Sequence, residues 1–250
     1  MKFATWNLFA KNDQQTSAIS FLIKEKVDFA CLQELRSETI KYLENSDLYH
    51  LNYCTSHCQS GRDISLAIVS KLKPINTKKI TINNGPNTIL SRICGLDYRK
   101  ISFLCNDYQI NGWNLRLFNV HLPFGSAPSQ HLFLLEKILD ELNNDINIIC
   151  GDFNSFGHFP WKFLLGLING SRWTDYRKNE IQSIKKLLGR FNLKLSSENS
   201  ITYPLCRTHI DHIIIPDNWR SYQYKAYKKS YGSDHKLIIL DIPDESCFPK

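Results

Sequence analysis

Short apolar runs that end abruptly in polar residues are the feature of this sequence that most restricts its fold. Many of these runs alternate between apolar and polar side chains or are rich in β-branched residues, as extended strands are. Strands are predicted at Lys2–Phe9, Phe29–Gln33, Ile64–Val69, Lys79–Asn83, Ile89–Asp97, Leu115–Leu122, Ile146–Cys150, Ile210–Ile215 and Lys236–Asp241. Many strands with a few helices between them predict an α/β protein with two packed sheets and helices on the outside.

Apolar residues at helical spacing separate some of the strand runs. No repeat, low-complexity tract or linker interrupts the sequence, so we predict one domain over residues 1–250. Helices are predicted at Gln14–Lys26, Ser129–Asn143, Trp161–Ile168 and Glu180–Arg190.

The strand end in "INIICGDFNS", residues 146–155, presents a carboxylate and a carboxamide one residue apart. Because side chains alternate along an extended chain, Asp152 and Asn154 are expected to point the same way and Phe153 the other. Asp is uncommon in strands, and Gly151 indicates a close backbone approach. A polar turn that merely closes a strand would have the same composition, so the other strand ends must decide.

Polar side chains also end, or closely follow, several other predicted strands. Asp211 and His212 must face opposite sides of their strand, so only one of them can enter a common site. The polar residues at these strand ends are Asn7, Gln33, Glu34, His121, Asp152, Asn154, Asp211, Asp234 and His235.

Such a set of side chains suits phosphoester hydrolysis. Carboxylate and carboxamide oxygens are hard ligands that favour Mg²⁺ or Mn²⁺ over zinc. A histidine beside a carboxylate is fixed in orientation and stabilised when protonated, and Asp211 with His235 are candidates for that pair. A metal ion, a His–Asp pair and further polar donors together indicate a metal-dependent phosphoesterase.

Six motifs, "TWN", "LQE", "NVHL", "GDFNS", "IDHIII" and "SDH", occur in this order between residue 5 and about residue 240. In order and separation they resemble those of the endonuclease/exonuclease/phosphatase superfamily, which has the deoxyribonuclease-I-like fold. The resemblance implies a four-layered α/β sandwich with two central, mainly antiparallel sheets. It also implies divalent-metal-dependent cleavage of a phosphoester bond.

The resemblance further implies roles for individual residues. Glu34 corresponds to the principal metal ligand, with Asn7 close to the metal and Asp234 a further acidic residue that could bind it. His121 corresponds to the histidine that hydrogen-bonds the scissile phosphate, and Asp152 to the residue that orients or deprotonates the attacking water. Asn154 would bind a phosphate oxygen. His235, oriented by Asp211, would act as a general acid or base or stabilise the transition state.

Two arginines, Arg92 in "ILSRICGL" and Arg207 in "CRTHIDH", lie where a guanidinium could bind substrate phosphate. A surface ion pair would explain either of them equally well.

The substrate is not determined by the fold. A net charge of +7 favours anionic partners, and with no membrane-insertion element identified we expect nucleic acid, most simply DNA cut with little sequence preference. A phospholipid headgroup, as in phosphoinositide phosphatases and sphingomyelinases, is the alternative substrate, and a catalytically inactive binding module is the alternative function. Phe159–Gly170 could lie on a membrane as an amphipathic helix or pack on the core.

Composition also bears on location and assembly. We find no signal peptide and no apolar run long enough to span a membrane, and we expect an intracellular, cytoplasmic monomer with no protein partner that can be inferred. Of the eight cysteines, Cys54 and Cys58 flank His57, but no second ligand pair at zinc spacing follows. Reduced cysteines are therefore expected.

Overall fold

The computed structural model describes residues 1–85, 87–155, 179–197 and 200–243. Within these residues the strands are β1 (Lys2–Asn7), β2 (Phe29–Leu35), β3 (His50–Gln59), β4 (Arg62–Ser70), β5 (Asn76–Asn83), β6 (Leu96–Asp97), β7 (Lys100–Ile110), β8 (Trp113–His121), β9 (Ile146–Asp152), β10 (Leu193–Leu195), β11 (Asp211–Pro216), β12 (Gln223–Ala226) and β13 (Ile238–Asp241). The helices are α1 (Gln15–Lys24), α2 (Ser37–Glu44), α3 (Ile89–Ile93), α4 (Pro128–Leu139) and α5 (Glu180–Gly189), with a short 3₁₀ turn at Pro204–Cys206.

The strands form two sheets that pack face to face. Sheet one has the spatial order β12-β13-β1-β2-β4-β3-β6, and sheet two has the order β10-β11-β9-β8-β7-β5. Neighbouring strands are antiparallel except for β1 with β2 in sheet one and β8 with β9 in sheet two. The predicted α/β sandwich with two mainly antiparallel sheets is confirmed.

Apolar side chains fill three interfaces between four layers. The central interface joins the sheets, where Phe3 and Phe29 of sheet one meet Leu104 and Leu117 of sheet two. The outer face of sheet one is covered by α1 and α2, and the outer face of sheet two by α4 and α5. Because side chains alternate along β1, Trp6 packs in the outer layer of sheet one. The side chain of the next residue, Asn7, therefore faces the end of the sandwich.

One predicted strand is wrong. Residues 89–97 form α3 followed by the two-residue strand β6 instead of one continuous strand. The side-chain oxygen of Thr88 accepts a hydrogen bond from the backbone N–H of Ser91 and so caps the helix. The left-handed conformation of Gly95 (φ 67°) then ends it, and a Cβ at that residue would lie 2.4 Å from Oγ of Ser60.

The other predicted strands are confirmed as parts of β1, β2, β4, β5, β8, β9, β11 and β13, whereas β3, β7, β10 and β12 were not predicted. Helices are confirmed within Gln14–Lys26, Ser129–Asn143 and Glu180–Arg190, and α2 was not predicted. The predicted segments Trp161–Ile168 and Phe159–Gly170 lie outside the described residues. In the part of the chain that is described, no helix combines the length and apolarity required to cross a bilayer.

A buried ion pair joins the two helices on the outer face of sheet two. Nδ1 of His131 in α4 lies 2.6 Å from Oε1 of Glu180 in α5, and Nε2 lies 2.8 Å from the carbonyl oxygen of Pro123. Burial alone would lower the pKa of His131, but Glu180 and the Pro123 carbonyl raise it above its usual value. Because a carbonyl oxygen only accepts, Nε2 donates to Pro123, and the protonated imidazole also donates to Glu180 through Nδ1.

We predict that His131→Ala destabilises the fold by about 3 kcal/mol, because it leaves the Glu180 carboxylate buried and unpaired. In the wild type this stabilisation is complete below about pH 6.5, the ordinary histidine value, and is lost as the pH rises through the raised pKa of the folded state. Urea unfolding across this range should show a steeper loss of stability for the wild type than for His131→Ala. His50→Ala, at an exposed histidine, is the matched control and should behave as the wild type. Identical pH slopes for all three proteins would disprove the ion pair.

Candidate active site

A cleft of about 220 Å³ opens where strands of both sheets end. In sheet two, Asp152 at the end of β9 is paired in register with His121 of β8 on one side and with Asp211 of β11 on the other. Sheet one contributes Asn7 from the end of β1 and Glu34 from β2. The cleft is lined by Asn7, Phe9, Ala10, Lys11, Glu34, His57, Gln59, Cys94, Leu96, Tyr98, His121, Phe124, Asp152, Asn154, Tyr203, Ile210, Asp234 and His235.

The carboxylate of Asp152 lies at the centre of this arrangement and is 1 % exposed. Its Oδ2 accepts a hydrogen bond of 3.0 Å from Nδ2 of Asn7, and Oδ2 lies 3.7 Å from Nε2 of both His121 and His235. Its Oδ1 accepts from the backbone N–H of Asn154. Burial raises the pKa of Asp152 above its usual value, although the two histidines act in the opposite direction.

The predicted pairing of Asp211 with His235 is seen in the side-chain geometry. Nδ1 of His235 lies 2.9 Å and 3.1 Å from the two carboxylate oxygens of Asp211, and both residues are buried. Burial would lower the pKa of His235, but Asp211 and Asp152 outweigh it and raise the pKa to about 10. His235 is therefore a cation whose second nitrogen, Nε2, is directed towards Asp152. His212 contacts Ser155 through Nε2, away from this pair, as the alternation along β11 requires.

A β-bulge in β2 aims Glu34 into the cleft. The register with β4 shifts between Gln33 and Leu35, and Glu34 takes a left-handed conformation with φ 59°. Its Oε2 accepts a hydrogen bond of 2.8 Å from the backbone N–H of Ala10, and its Oε1 accepts one of 3.0 Å from Nδ2 of Asn7. These two bonds fix the carboxylate at the edge of the cleft.

A turn, and not extended chain, places Asn154. The strand β9 ends at Asp152, and Asn154 has φ 47°, so the predicted alternation does not continue beyond the strand. Both side chains nevertheless line the cleft, and Nδ2 of Asn154 donates to the carbonyl oxygen of Leu122. The predicted close approach at Gly151 is confirmed, since a Cβ there would lie 1.9 Å from the carbonyl oxygen of Val120.

The acidic groups in the cleft fit a hard divalent cation. Oδ1 of Asp234 is buried and has no hydrogen-bond partner within the described part of the chain. Burial raises the pKa of Asp234, and Glu34 raises it further although His235 opposes this. The negative charges of Asp234 and Glu34 repel each other, and a bound Mg²⁺ or Mn²⁺ would offset this repulsion.

Ligand atoms of Asp152, Asp211 and His235 also lie within 4.8 Å of one another. Because Asp211 and His235 are bonded to each other and His235 is a cation, we treat these two as a pair and not as metal ligands. Among the described residues Cys54, His57 and Cys58 do not form such a group, because Cys54 packs against the core between the sheets and Cys58 is exposed.

The cleft brings together Asn7, Glu34, His121, Asp152, Asn154, Asp234 and His235, and Asp211 contacts it through His235. Arg92 and Arg207 are exposed and are not among the described residues that line it, so their contact with phosphate stays a prediction. Sequence reasoning missed Tyr203, whose ring lies 4.9 Å from that of His235, and the packing of His57 against His121. Neither has a local sequence signal, because each depends on contacts between distant segments.

The model of the Endonuclease/Exonuclease/phosphatase family matches residues 4–235. The chain belongs to this family. Members of the endonuclease/exonuclease/phosphatase family are hydrolases, generally phosphoesterases, and the carboxylates and histidines of the cleft suit that chemistry. No curated protein matches the chain by sequence.

Solved structures of the endonuclease/exonuclease/phosphatase fold superpose on nearly the whole chain. A family protein from Leptotrichia buccalis is 14 % identical, with a TM-score of 0.65, and the match covers 98 % of this chain and 100 % of that one. The endonuclease domain of TRAS1, a telomere-specific non-LTR retrotransposon, is 13 % identical, with a TM-score of 0.62 and coverage of 96 % and 97 %. TDP2 of D. rerio, complexed with a single-strand DNA product, is 15 % identical, with a TM-score of 0.62 and the same coverage. At these identities the likeness shows the fold.

We predict that Mn²⁺ or Mg²⁺ raises the melting temperature of the wild type and leaves that of Glu34→Gln almost unchanged. A cation that binds the folded state stabilises it by mass action, and the glutamine removes the charge that would hold the cation while keeping the side chain's shape. Glu38→Gln, at an exposed glutamate of α2, is the control and should respond as the wild type. Equal shifts in Glu34→Gln and the wild type would place the metal elsewhere.

Proposed function

We propose that this chain is a divalent-metal-dependent phosphodiesterase that hydrolyses nucleic acid, with DNA as the expected substrate and little sequence preference. The observation that carries the proposal is the shared cleft, in which the Asp211–His235 pair directs a cationic nitrogen towards a buried carboxylate. The metal-binding candidates Glu34 and Asp234 line the same cleft.

Glu34, Asp234 and Asn7 would hold the metal ion, which when bound supplies positive charge to the phosphate group. Asn7 accepts from the backbone N–H of Phe9 through Oδ1 and donates to Glu34 and Asp152 through Nδ2. Its main contribution is therefore to hold the two carboxylates in place, and any contact with the metal would use the second lone pair of Oδ1.

Asp152 is the group placed to orient or deprotonate the attacking water. Its carboxylate is held by two hydrogen bonds and faces the space between the two histidines. Nε2 of His121 would donate to a phosphate oxygen, and Asn154 would donate through the amide hydrogen that Leu122 does not occupy. Each residue thus stabilises the phosphate in one fixed geometry.

His235 would stabilise the pentacovalent transition state or protonate the leaving oxygen. Asp211 fixes its ring through Nδ1, so Nε2 is the atom available to the substrate. Asp211 orients the imidazole and compensates its charge, so Asp211 acts on the substrate only through His235.

Nucleic acid is favoured as the substrate by charge and by likeness. The net charge is +7, and the structural neighbours include an endonuclease domain and a protein solved with a single-strand DNA product. A polyanion releases counterions when it binds Lys and Arg side chains, which gives a basic protein affinity for it.

A phospholipid headgroup is the second candidate substrate. Leu205 is 78 % exposed and Ile93 is 72 % exposed, and they lie within two residues of the cleft-lining Tyr203 and Cys94. Exposed apolar side chains beside a cleft suit a lipid surface. An inactive binding module has no physical need for the complete set of buried ionisable groups.

We predict that Asp211→Asn and His235→Ala each reduce kcat by two or more orders of magnitude, on the scale of losing an electrostatic stabiliser. The double variant should be little worse than either single variant, because the two residues act as one unit. Single-turnover rates on a labelled oligonucleotide measure this. Losses that multiply in the double variant would show that the residues act separately.

We also predict that wild-type protein with Mg²⁺ nicks supercoiled plasmid, that chelator abolishes nicking, and that Glu34→Gln lowers it by roughly two orders of magnitude. Liposomes containing phosphoinositide or sphingomyelin are the parallel arm of this experiment. Intact plasmid together with released phosphate or phosphocholine would replace the nucleic-acid proposal with the lipid alternative.

A further inference from the structure

A second groove, of about 780 Å³, adjoins the cleft but contains none of the residues assigned to catalysis. It shares one wall with the cleft, because His57 lines both. The groove is lined by Thr55, Ser56, His57, Cys58, Lys79, Thr81, Asn83, Gly85, Asp97, Arg99, Lys100 and Ser102.

The groove occupies the space between the sheets where their interface stops being apolar. On β5, Lys79 and Thr81 lie on one face by alternation, and on β7 Ser102 is paired in register with Thr81. Two residues further along β7, on the same face, Leu104 belongs to the core between the sheets. Within two residues along β7, this face of sheet two therefore changes from apolar core side chains to lysine, hydroxyl and amide side chains.

The groove has an excess of positive charge. The guanidinium of Arg99 pairs with Asp97 through three hydrogen bonds, of 2.6 Å, 3.0 Å and 3.2 Å, so these two charges compensate each other. Lys79 and Lys100 are exposed, and in the described part of the chain neither has an acidic side chain within ion-pair distance. Two uncompensated ammonium groups along one groove attract an anion with more than one charge.

Unpartnered polar groups in the groove wall also point to a ligand. Oγ of Ser56 and Nδ1 of His57 are buried and have no hydrogen-bond partner among the described residues. Buried polar atoms are usually hydrogen-bonded, and these two belong to residues that line the groove, where a bound molecule would supply the missing partner. The hydroxyl groups of Thr81 and Ser102 are hydrogen-bonded to each other at 3.0 Å, which leaves one hydroxyl hydrogen for a ligand.

We propose that this groove binds the sugar–phosphate backbone of the substrate strand on one side of the scissile phosphate. The inference rests on the proposed function, since it assumes that the ligand of the cleft is nucleic acid. A strand leaving the cleft past His57 would bring successive phosphates to the ammonium groups of Lys79 and Lys100, and the hydroxyl groups of the groove would donate to sugar or phosphate oxygens.

The test compares a charge-reversal variant, Lys79→Glu/Lys100→Glu, with a control, Lys24→Glu/Lys41→Glu, which reverses two exposed lysines on α1 and α2. One probe is a single-stranded oligonucleotide of roughly 12 nucleotides, long enough to occupy the cleft and the groove together. The other is bis(p-nitrophenyl) phosphate, a small diester that occupies the cleft alone.

We expect the groove variant to bind the oligonucleotide at least tenfold more weakly than the control at low salt. The slope of the logarithm of its binding constant against the logarithm of salt concentration should be shallower by about one to two units, because two phosphate contacts are lost. Its kcat/KM for the small diester should equal that of the control. Equal oligonucleotide affinity in the two variants would overturn the groove assignment, while oligonucleotide cleavage by the wild type would still support the proposed function.

If the wild type neither nicks plasmid nor cleaves the oligonucleotide, the proposed function fails, and the binding measurement alone tests the groove. Oligonucleotide affinity that depends on Lys79 and Lys100 would then support the groove as a site for a polyanion. Affinity that is the same in both variants would overturn it.

Discussion

The site depends on one carboxylate, that of Asp152, buried where the two sheets meet. It is bonded by Asn7 from one sheet and lies in register between His121 and Asp211 in the other. A buried carboxylate costs several kcal/mol unless charge and hydrogen bonds compensate it. His235 supplies the compensating charge and Asp211 fixes its position, so the geometry of each group depends on the others.

Unusual backbone conformations direct the functional side chains into the cleft. Glu34 and Asn154 both have positive φ, and a left-handed conformation costs a residue other than glycine on the order of 1–3 kcal/mol. Gly151 has no Cβ, which allows β8 and β9 to approach so closely that His121 and Asp152 lie side by side. The three apolar interfaces of the sandwich supply the stability that offsets these costs.

The sequence was sufficient to predict the layered fold and to name seven of the polar residues that line the cleft, because strand alternation and strand ends are local patterns. Alternation predicted that only one of Asp211 and His212 can enter a common site, and in the structure Asp211 contacts His235 whereas His212 contacts Ser155. The sequence-based prediction failed at residues 89–97, where the Thr88 cap and Gly95 outweigh β-branched composition. The bulge at Glu34, the turn at Asn154 and the second groove depend on pairing between distant strands, which no local pattern encodes.

The central claim is that the Asp152 carboxylate serves the chemistry of the site and not the stability of the fold. The unfolding free energy of Asp152→Asn, measured in chelator near pH 7, tests this claim most directly. Its raised pKa means that the folded state disfavours the ionised form, so at this pH the charge costs stability that the amide restores. We predict that the metal-free variant is as stable as the wild type or more stable. A variant clearly less stable than the wild type would contradict the claim, because the ionised carboxylate would then stabilise the fold itself.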